Sequence, residues 1–259
     1  MARTRPNILV TIPISHYCEK ARWALDRSGV PYVEHAHLQF VHRFAARRAG
    51  GGTTVPVFVS PEGALTESAD ILDYADAHSP ADRRIYPDDP AAVAEIRGLE
   101  REFDDRLGPH GRRWMYHLLR RRSDLASRYG TAGVPTFERV MLPVVYPAVY
   151  AWIDRHLEIT QDTSDQSIDE VRAVFDEVGA RLSDGRSHLC GDGFTAADLT
   201  FSALAAAVIM PPGYGVELPP PDELPPAAAE VVHELRAHPA GRHALAMFRD
   251  ERPLGRKSA

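Results

Sequence analysis

From Ala196 to Met210 the chain is nearly all apolar. A helix without a polar face has to be buried on every side, so this segment is expected to be the central helix of a helical unit. Burial takes its first N–H groups away from water. Thr195, with Asp198 three residues on, forms a capping box in which aspartate replaces glutamate. We read that pair as a folding device rather than as chemistry.

Helical periodicity continues on both sides. Val93, Ile96, Leu99, Phe103 and Leu107 mark a long amphipathic helix, with Gly108, Pro109 and Gly111 breaking or kinking it. Trp114–Tyr129 continues with an arginine-rich face, and Val134–Leu157 is a third helical segment interrupted by Pro143 and Pro147. Ile159–Ser167 reads as a polar loop. Ile168, Val171, Phe175, Val178 and Leu182 mark another amphipathic helix. Pro211–Pro226 is a proline-rich loop, and Ala227–Phe248 holds a final helix or two.

The N-terminal part has a different grammar. Ile8, Leu9, Val10 and Ile12 form a strand, which Pro13 stops. Ser15 is an N-cap for a helix over His16–Ser28, and Gly29 and Pro31 end it. Tyr32–Leu38 reads as a second strand and Phe40–Arg48 as a short helix or turn, before a break at Gly50–Gly52. Val55–Ser60 and Ala64–Leu65 flank the turn Pro61-Glu62-Gly63 as a hairpin. Thr66 or Ser68 caps a helix from Ala69 to His78. Ser79–Pro90 reads as a linker. The fold class is therefore α/β plus all-α: a mixed unit over residues 1–80, then a helical bundle over residues 90–259.

The 259 residues, 44% of them apolar, suit two modest domains. A net charge of −6 gives no support to a nucleic-acid partner. Arg3 and Arg5 precede no apolar run of signal-peptide length, and no stretch is long enough for a membrane span. A cytoplasmic protein with no membrane partner is expected. Cys18 and Cys190 lie in dissimilar contexts, so neither a disulfide framework nor a zinc site is expected. His35, His37 and His42 show no metal-site spacing. Basic charge is almost all arginine, Lys20 and Lys257 being the only lysines, which points to a GC-rich bacterial source.

The turn before the first helix places Ser15 and Cys18 at a helix N-terminus. Unpaired N–H groups and the positive end of the dipole favour an anion there, including a thiolate. From the residues alone, Ser15 reads first as an N-cap and Cys18 as a small buried residue. Glu67-Ser68 reads as an acid and a cap, and Val55-Pro56 as a proline at a strand start.

Ser15-His16-Tyr17-Cys18-Glu19-Lys20-Ala21-Arg22-Trp23, Thr54-Val55-Pro56-Val57, Thr66-Glu67-Ser68-Ala69-Asp70 and Gly191-Asp192-Gly193-Phe194-Thr195-Ala196-Ala197-Asp198 together resemble the glutathione S-transferase superfamily, in its serine- and cysteine-type members. The resemblance spans most of the chain. It implies a thioredoxin-like domain followed by a helical domain, in a homodimer. It also implies that Ser15 donates to a glutathione sulfur, with Cys18 or, more weakly, Tyr17 as alternative thiol-site residues. A cis Val55–Pro56 bond would pair the Val55 backbone with the cysteinyl part of glutathione, while Ser68 and Glu67 would hold the γ-glutamyl carboxylate and ammonium.

Two departures touch this site. Proline often follows the catalytic residue in the family, and here His16 does. Gln or Lys often precedes Val-Pro, and here Thr54 does. Gln39, His42, Arg43, Arg47 and Arg48 are then candidates for the glycyl carboxylate. Tyr17, Trp114, Met115 and Tyr116 are candidates for the second-substrate wall. Arg112, Arg113, Arg120, Arg121 and Arg122 form either a solvated face or a cleft lining.

The resemblance implies an enzyme that activates a glutathione thiol and adds it to, or isomerises through, a small apolar electrophile. Glutathione is the expected co-substrate, with another low-molecular-weight thiol as the alternative. A non-catalytic thiol-binding or interaction module of the same fold, and a Cys18-dependent thiol transferase or reductase, are the competing readings.

Overall fold

A computed structural model of the chain describes residues 6–120, 122–156 and 158–253. Arg3, Arg5, Arg121, Leu157 and Lys257 lie outside the described residues. The first part runs β1 (Ile8–Thr11), α1 (His16–Ser28), β2 (Val33–Ala36), α2 (His42–Arg48), β3 (Val57–Ser60), β4 (Gly63–Leu65) and α3 (Ser68–Ala77). The sheet order is β2-β1-β3-β4, with β1 parallel to β2 and antiparallel to β3, and β4 antiparallel to β3. This is a thioredoxin-like arrangement.

Alternation along β1 and β3 sets the two faces of the sheet. Leu9 and its partner Phe58 pack into the main core with Leu25 of α1 and Ile71 and Leu72 of α3. Val10 and Val57 point the other way and bury Ala46 of α2. Gly29 closes α1 in the left-handed region at φ 75°, its N–H donating to the carbonyls of Asp26 and Leu25.

The helical part runs α4 (Pro90–Glu102), a π-turn (Phe103–Leu107), α5 (Gly108–Leu119), α6 (Ser123–Tyr129), α7 (Thr136–His156), α8 (Gln161–Arg181), α9 (Ala196–Ile209), α10 (Pro226–Ala237) and α11 (Pro239–Asp250). As the apolar run requires, α9 is buried along its whole length. The Asp198 carboxylate accepts the N–H and hydroxyl of Thr195 at 3.0 and 2.9 Å and the Leu189 N–H at 2.7 Å. It therefore ties the preceding loop to the helix as well as closing the capping box.

Two expectations need correction and a third takes a specific form. Ile159–Ser167 is not a loop, because α8 starts at Gln161 behind a Thr160–Thr163 cap. Its first turns hid from the periodicity because their inward residues, Ser164 and Ser167, are polar. The break or kink expected around Gly108 and Pro109 takes the form of a π-turn over Phe103–Leu107, after which the chain runs on as α5. Gly108 N–H reaches back to the Phe103 carbonyl in the π-turn, and Pro109 has no N–H to give Asp104. The Tyr17 hydroxyl takes up that orphan carbonyl at 2.9 Å. Finally, α7 runs on through Pro143 and Pro147, both exposed, where water can reach the carbonyls they leave free.

The two parts are joined by buried aromatic and ionic contacts. Trp23 of α1 packs on Phe194 and Phe248, and its Nε1–H donates to the Glu251 carbonyl. Lys20, fully buried, meets Asp104 at 2.8 Å, and Arg252 reaches Glu19 and Asp26 at 2.7 and 2.8 Å. Among the described residues no helix is long and apolar enough to cross a membrane.

Candidate functional site

A cavity of about 320 Å³ opens where α1, α2 and the loop before β3 face α5 and α7. Its floor contains Ser15, His16 and Tyr17 at the start of α1. Ser15 has extended backbone angles, and its Oγ accepts the Cys18 N–H at 3.4 Å, as an N-cap does. The same hydroxyl lies close enough to the Cys18 thiol to lower that group's pKa, against the larger effect of burial. One residue thus caps the helix and presents a hydroxyl donor to the cavity.

Cys18 stands differently. It is fully buried, it is not part of the cavity wall, and burial pushes its thiol above the ordinary value, with the Arg22 charge opposing. Tyr17 lines the cavity, but its hydroxyl is spent on Asp104. Burial, and secondarily the Asp104 charge, raise its pKa.

The Val55–Pro56 bond is cis, and Thr53, Thr54 and Val55 form the wall beside Ser15. Glu67 and Ser68 stand at the N-terminus of α3, outside that wall. Ser68 is buried, and Glu67 is exposed with a side chain that caps nothing. Their position leaves the first N–H groups of α3 beside a free carboxylate.

Of the residues considered for a glycyl carboxylate, His42 is committed. Its Nδ1 faces the Phe40 N–H at 3.1 Å and its Nε2 the Thr53 carbonyl at 3.2 Å, which fixes α2 to the loop before β3. Burial lowers its pKa to about 4, so the ring is neutral. Arg43 lies over the rings of Phe40 and Trp152. Arg47 and Arg48 are exposed and away from the wall. Gln39 lines the cavity with its buried Oε1 unpaired. Phe40 itself sits at φ 78°, unusual for a bulky residue, held by an edge contact with Trp152.

On the opposite wall, α5 presents Arg112, Met115 and Tyr116, while Trp114 turns into the core. The arginine cluster therefore divides. Arg113 meets Ser167, Arg120 the Ile159 carbonyl and Arg122 Asp124, while Arg112 alone of the described four lines the cavity. His16 is 2% exposed, and neither ring nitrogen has a hydrogen-bond partner among the described residues. Burial first, then the Arg112 charge, lower its pKa to about 3; the Gly108 carbonyl opposes this without a formed bond. The ring is neutral.

The roof was not foreseen. Leu142, Tyr146 and Trp152 of α7 cover the cavity, and Glu138 of the same helix bonds to the end of β2. The proline-interrupted pattern of α7 shows no face, and the Glu138 contact spans a hundred residues of sequence, so no local signal points to either. Among the described residues no group of three or more His, Cys, Asp or Glu is placed to hold a metal ion.

Two family models match this chain. "Glutathione S-transferase, N-terminal domain" matches residues 9–83 and "Glutathione S-transferase, C-terminal domain" residues 161–232, together more than half of the chain. No curated protein matches it in sequence. Among solved structures it is similar to a glutathione S-transferase from Xanthobacter autotrophicus, with 17% identity, TM-score 0.59, and 94% of this chain and 93% of that one covered. One from Sinorhizobium meliloti gives 20% identity and TM-score 0.58 over 95% and 99% of the two chains. One from Methylobacterium radiotolerans, in complex with glutathione sulfonate, gives 19% and 0.53 over 92% and 94%. At these identities the likeness is one of fold. The segment between the two matched regions, residues 84–160, contains α5 and α7, the far wall and the roof of the cavity.

Proposed function

The chain belongs to the glutathione S-transferase superfamily, and from that premise we propose that it activates the thiol of glutathione at Ser15 and joins the sulfur to a small electrophile. The observation that carries this reading is the Ser15 hydroxyl. It is anchored by the Cys18 N–H at 3.4 Å and lines the cavity at the N-terminus of α1 beside the cis Val55–Pro56 bond.

The residues present fit the tripeptide. The Val55 backbone offers its N–H and C=O to the cysteinyl part. Ser68 and the first N–H groups of α3 suit the γ-glutamyl carboxylate, and Glu67 suits the ammonium. Gln39 lines the wall where the glycyl end would lie, and its amide nitrogen is the group that could donate to that carboxylate. Glutathione supplies the nucleophilic sulfur. Ser15 donates its O–H to that sulfur and so favours thiolate over thiol, and the positive end of α1 acts in the same direction. A lower thiol pKa raises the reactive fraction at neutral pH. The sulfur–carbon bond then forms as the electrophile's π pair or leaving group takes the electrons. Cys18, buried beneath the floor, is given no part in this chemistry.

Calorimetry with glutathione tests the reading on the wild type, Ser15→Ala and Glu67→Ala. Binding that survives in Ser15→Ala and weakens about tenfold in Glu67→Ala is expected. No binding to the wild type at millimolar glutathione refutes it. The homodimer and the cytoplasmic location implied by family membership belong to the same proposal. Sedimentation showing a monomer at micromolar concentration would remove the dimer.

A further inference from the structure

Among the described residues, Arg112 is a cation without an anion. The neighbouring arginines of the helical part are taken: Arg106 by Glu102, Glu170 and Glu177, and Arg122 by Asp124. No carboxylate among the described residues forms an ion pair with Arg112, although it is partly buried in the cavity wall. Withdrawing a guanidinium from water is costly unless a partner offsets it. The cavity's other arginine, Arg43, lies over the rings of Phe40 and Trp152, so among the described residues Arg112 is the cavity cation that has neither a carboxylate nor a ring against it.

The groups around it are also unsatisfied. His16 offers a neutral ring, 2% exposed, with both nitrogens unpartnered among the described residues. Tyr116, one helical turn from Arg112, lines the same wall with a hydroxyl that bonds to nothing among the described residues. Buried polar groups are as a rule hydrogen-bonded, so the His16 ring, beside the half-buried Arg112 and Tyr116, calls for a polar ligand group. Ile14, Met115 and Leu142 supply apolar surface beside them.

We propose that Arg112, His16 and Tyr116 bind an anionic group on the second substrate, so that the preferred electrophiles are small apolar molecules carrying a carboxylate. The inference rests on the proposed thiol site, because it assigns the opposite wall of the same cavity. It departs from the wholly apolar electrophile that the family resemblance implies. Arg112 provides the charge and a bidentate fork, and His16 and Tyr116 provide further donors.

The test compares three probes by calorimetry: glutathione, S-butylglutathione and S-(carboxypropyl)glutathione, the last two matched in length. The wild type is expected to prefer the carboxylate conjugate by on the order of tenfold. Arg112→Gln should abolish that preference while holding glutathione and the butyl conjugate within about twofold, and Arg112→Lys should keep part of it. A wild type that binds glutathione but prefers the butyl conjugate, or binds the two equally, overturns the inference and leaves the thiol site standing. So does an Arg112→Gln variant that weakens all three probes alike. No glutathione binding to the wild type overturns both. The wild-type comparison decides the matter even if a variant fails to fold.

Discussion

Glu138 of α7, 2% exposed, accepts the Leu38 N–H at 2.9 Å and meets His37 Nδ1 at 2.7 Å. One carboxylate thereby holds the cavity roof to the end of β2. Glu138→Ala leaves a buried N–H without an acceptor and should cost about 1–3 kcal/mol in denaturant unfolding, most of it recovered in Glu138→Gln. Because α7 carries Leu142, Tyr146 and Trp152, affinity for S-butylglutathione should fall more than affinity for glutathione. Equal losses would mean that the clamp does not position the roof.

Tyr17 and Gly108 form a second fitted pair. A Cβ on Gly108 would overlap the Tyr17 hydroxyl, which is held on the Asp104 carbonyl. Gly108→Ala should therefore destabilise by about 1–3 kcal/mol through overpacking. Tyr17→Phe should cost about 1 kcal/mol in stability and leave the pKa of the bound thiol unchanged. A raised thiol pKa in Tyr17→Phe would transfer the donor role from Ser15 to Tyr17.

Asp198 takes three donors with a fully buried carboxylate. Asp198→Ala strands those donors at the start of an apolar helix and should cost about 3 kcal/mol or more, seen as lost soluble yield and a lower unfolding midpoint. Glutathione affinity of the fraction that folds should be unchanged. A stable variant with weakened affinity would contradict the folding role.

His16 makes stability depend on pH. Its pKa is about 3 in the fold and 6.5 as the ordinary value, so between those limits the unfolded chain binds more protons. Its contribution is complete above the unfolded value and is lost as pH falls toward the folded one. His42, lowered to about 4, acts in the same sense. Glu100 and Asp26, raised mainly by burial, act in the opposite one. The difference between wild type and His16→Gln isolates the His16 part. From about pH 7 to about pH 5 the wild type should lose on the order of 2 kcal/mol more than the variant. Parallel unfolding curves at both pH values would show that the ring is not held neutral.

Local chemistry made much of the fold readable. The all-apolar α9, its Thr195–Asp198 cap, the Ser15 cap and Gly29 closure of α1, and the hairpin of β3 and β4 are all written in neighbouring residues. What escaped depends on distant ones. The first turns of α8 bury Ser164 and Ser167, so hydrophobic periodicity misses them. The helix survives Pro109 only because a π-turn and the Tyr17 hydroxyl, 87 residues away, absorb the unpaired carbonyl. In the site, motifs point to Ser15 and Val55, and both line the cavity. The sequence offers no means to separate Arg112 from Arg113 and Arg120, because what distinguishes it is that Ser167 and the Ile159 carbonyl, distant in sequence, reach those two, while no described residue pairs with Arg112.

The most direct test of the account is the pKa of the bound glutathione thiol, followed by thiolate ultraviolet absorbance in the wild type, Ser15→Ala and Cys18→Ser. The account predicts a thiol that titrates below free glutathione in the wild type and in Cys18→Ser, and that rises by about one unit or more in Ser15→Ala. Identical titration in the wild type and Ser15→Ala, or a change confined to Cys18→Ser, would contradict it.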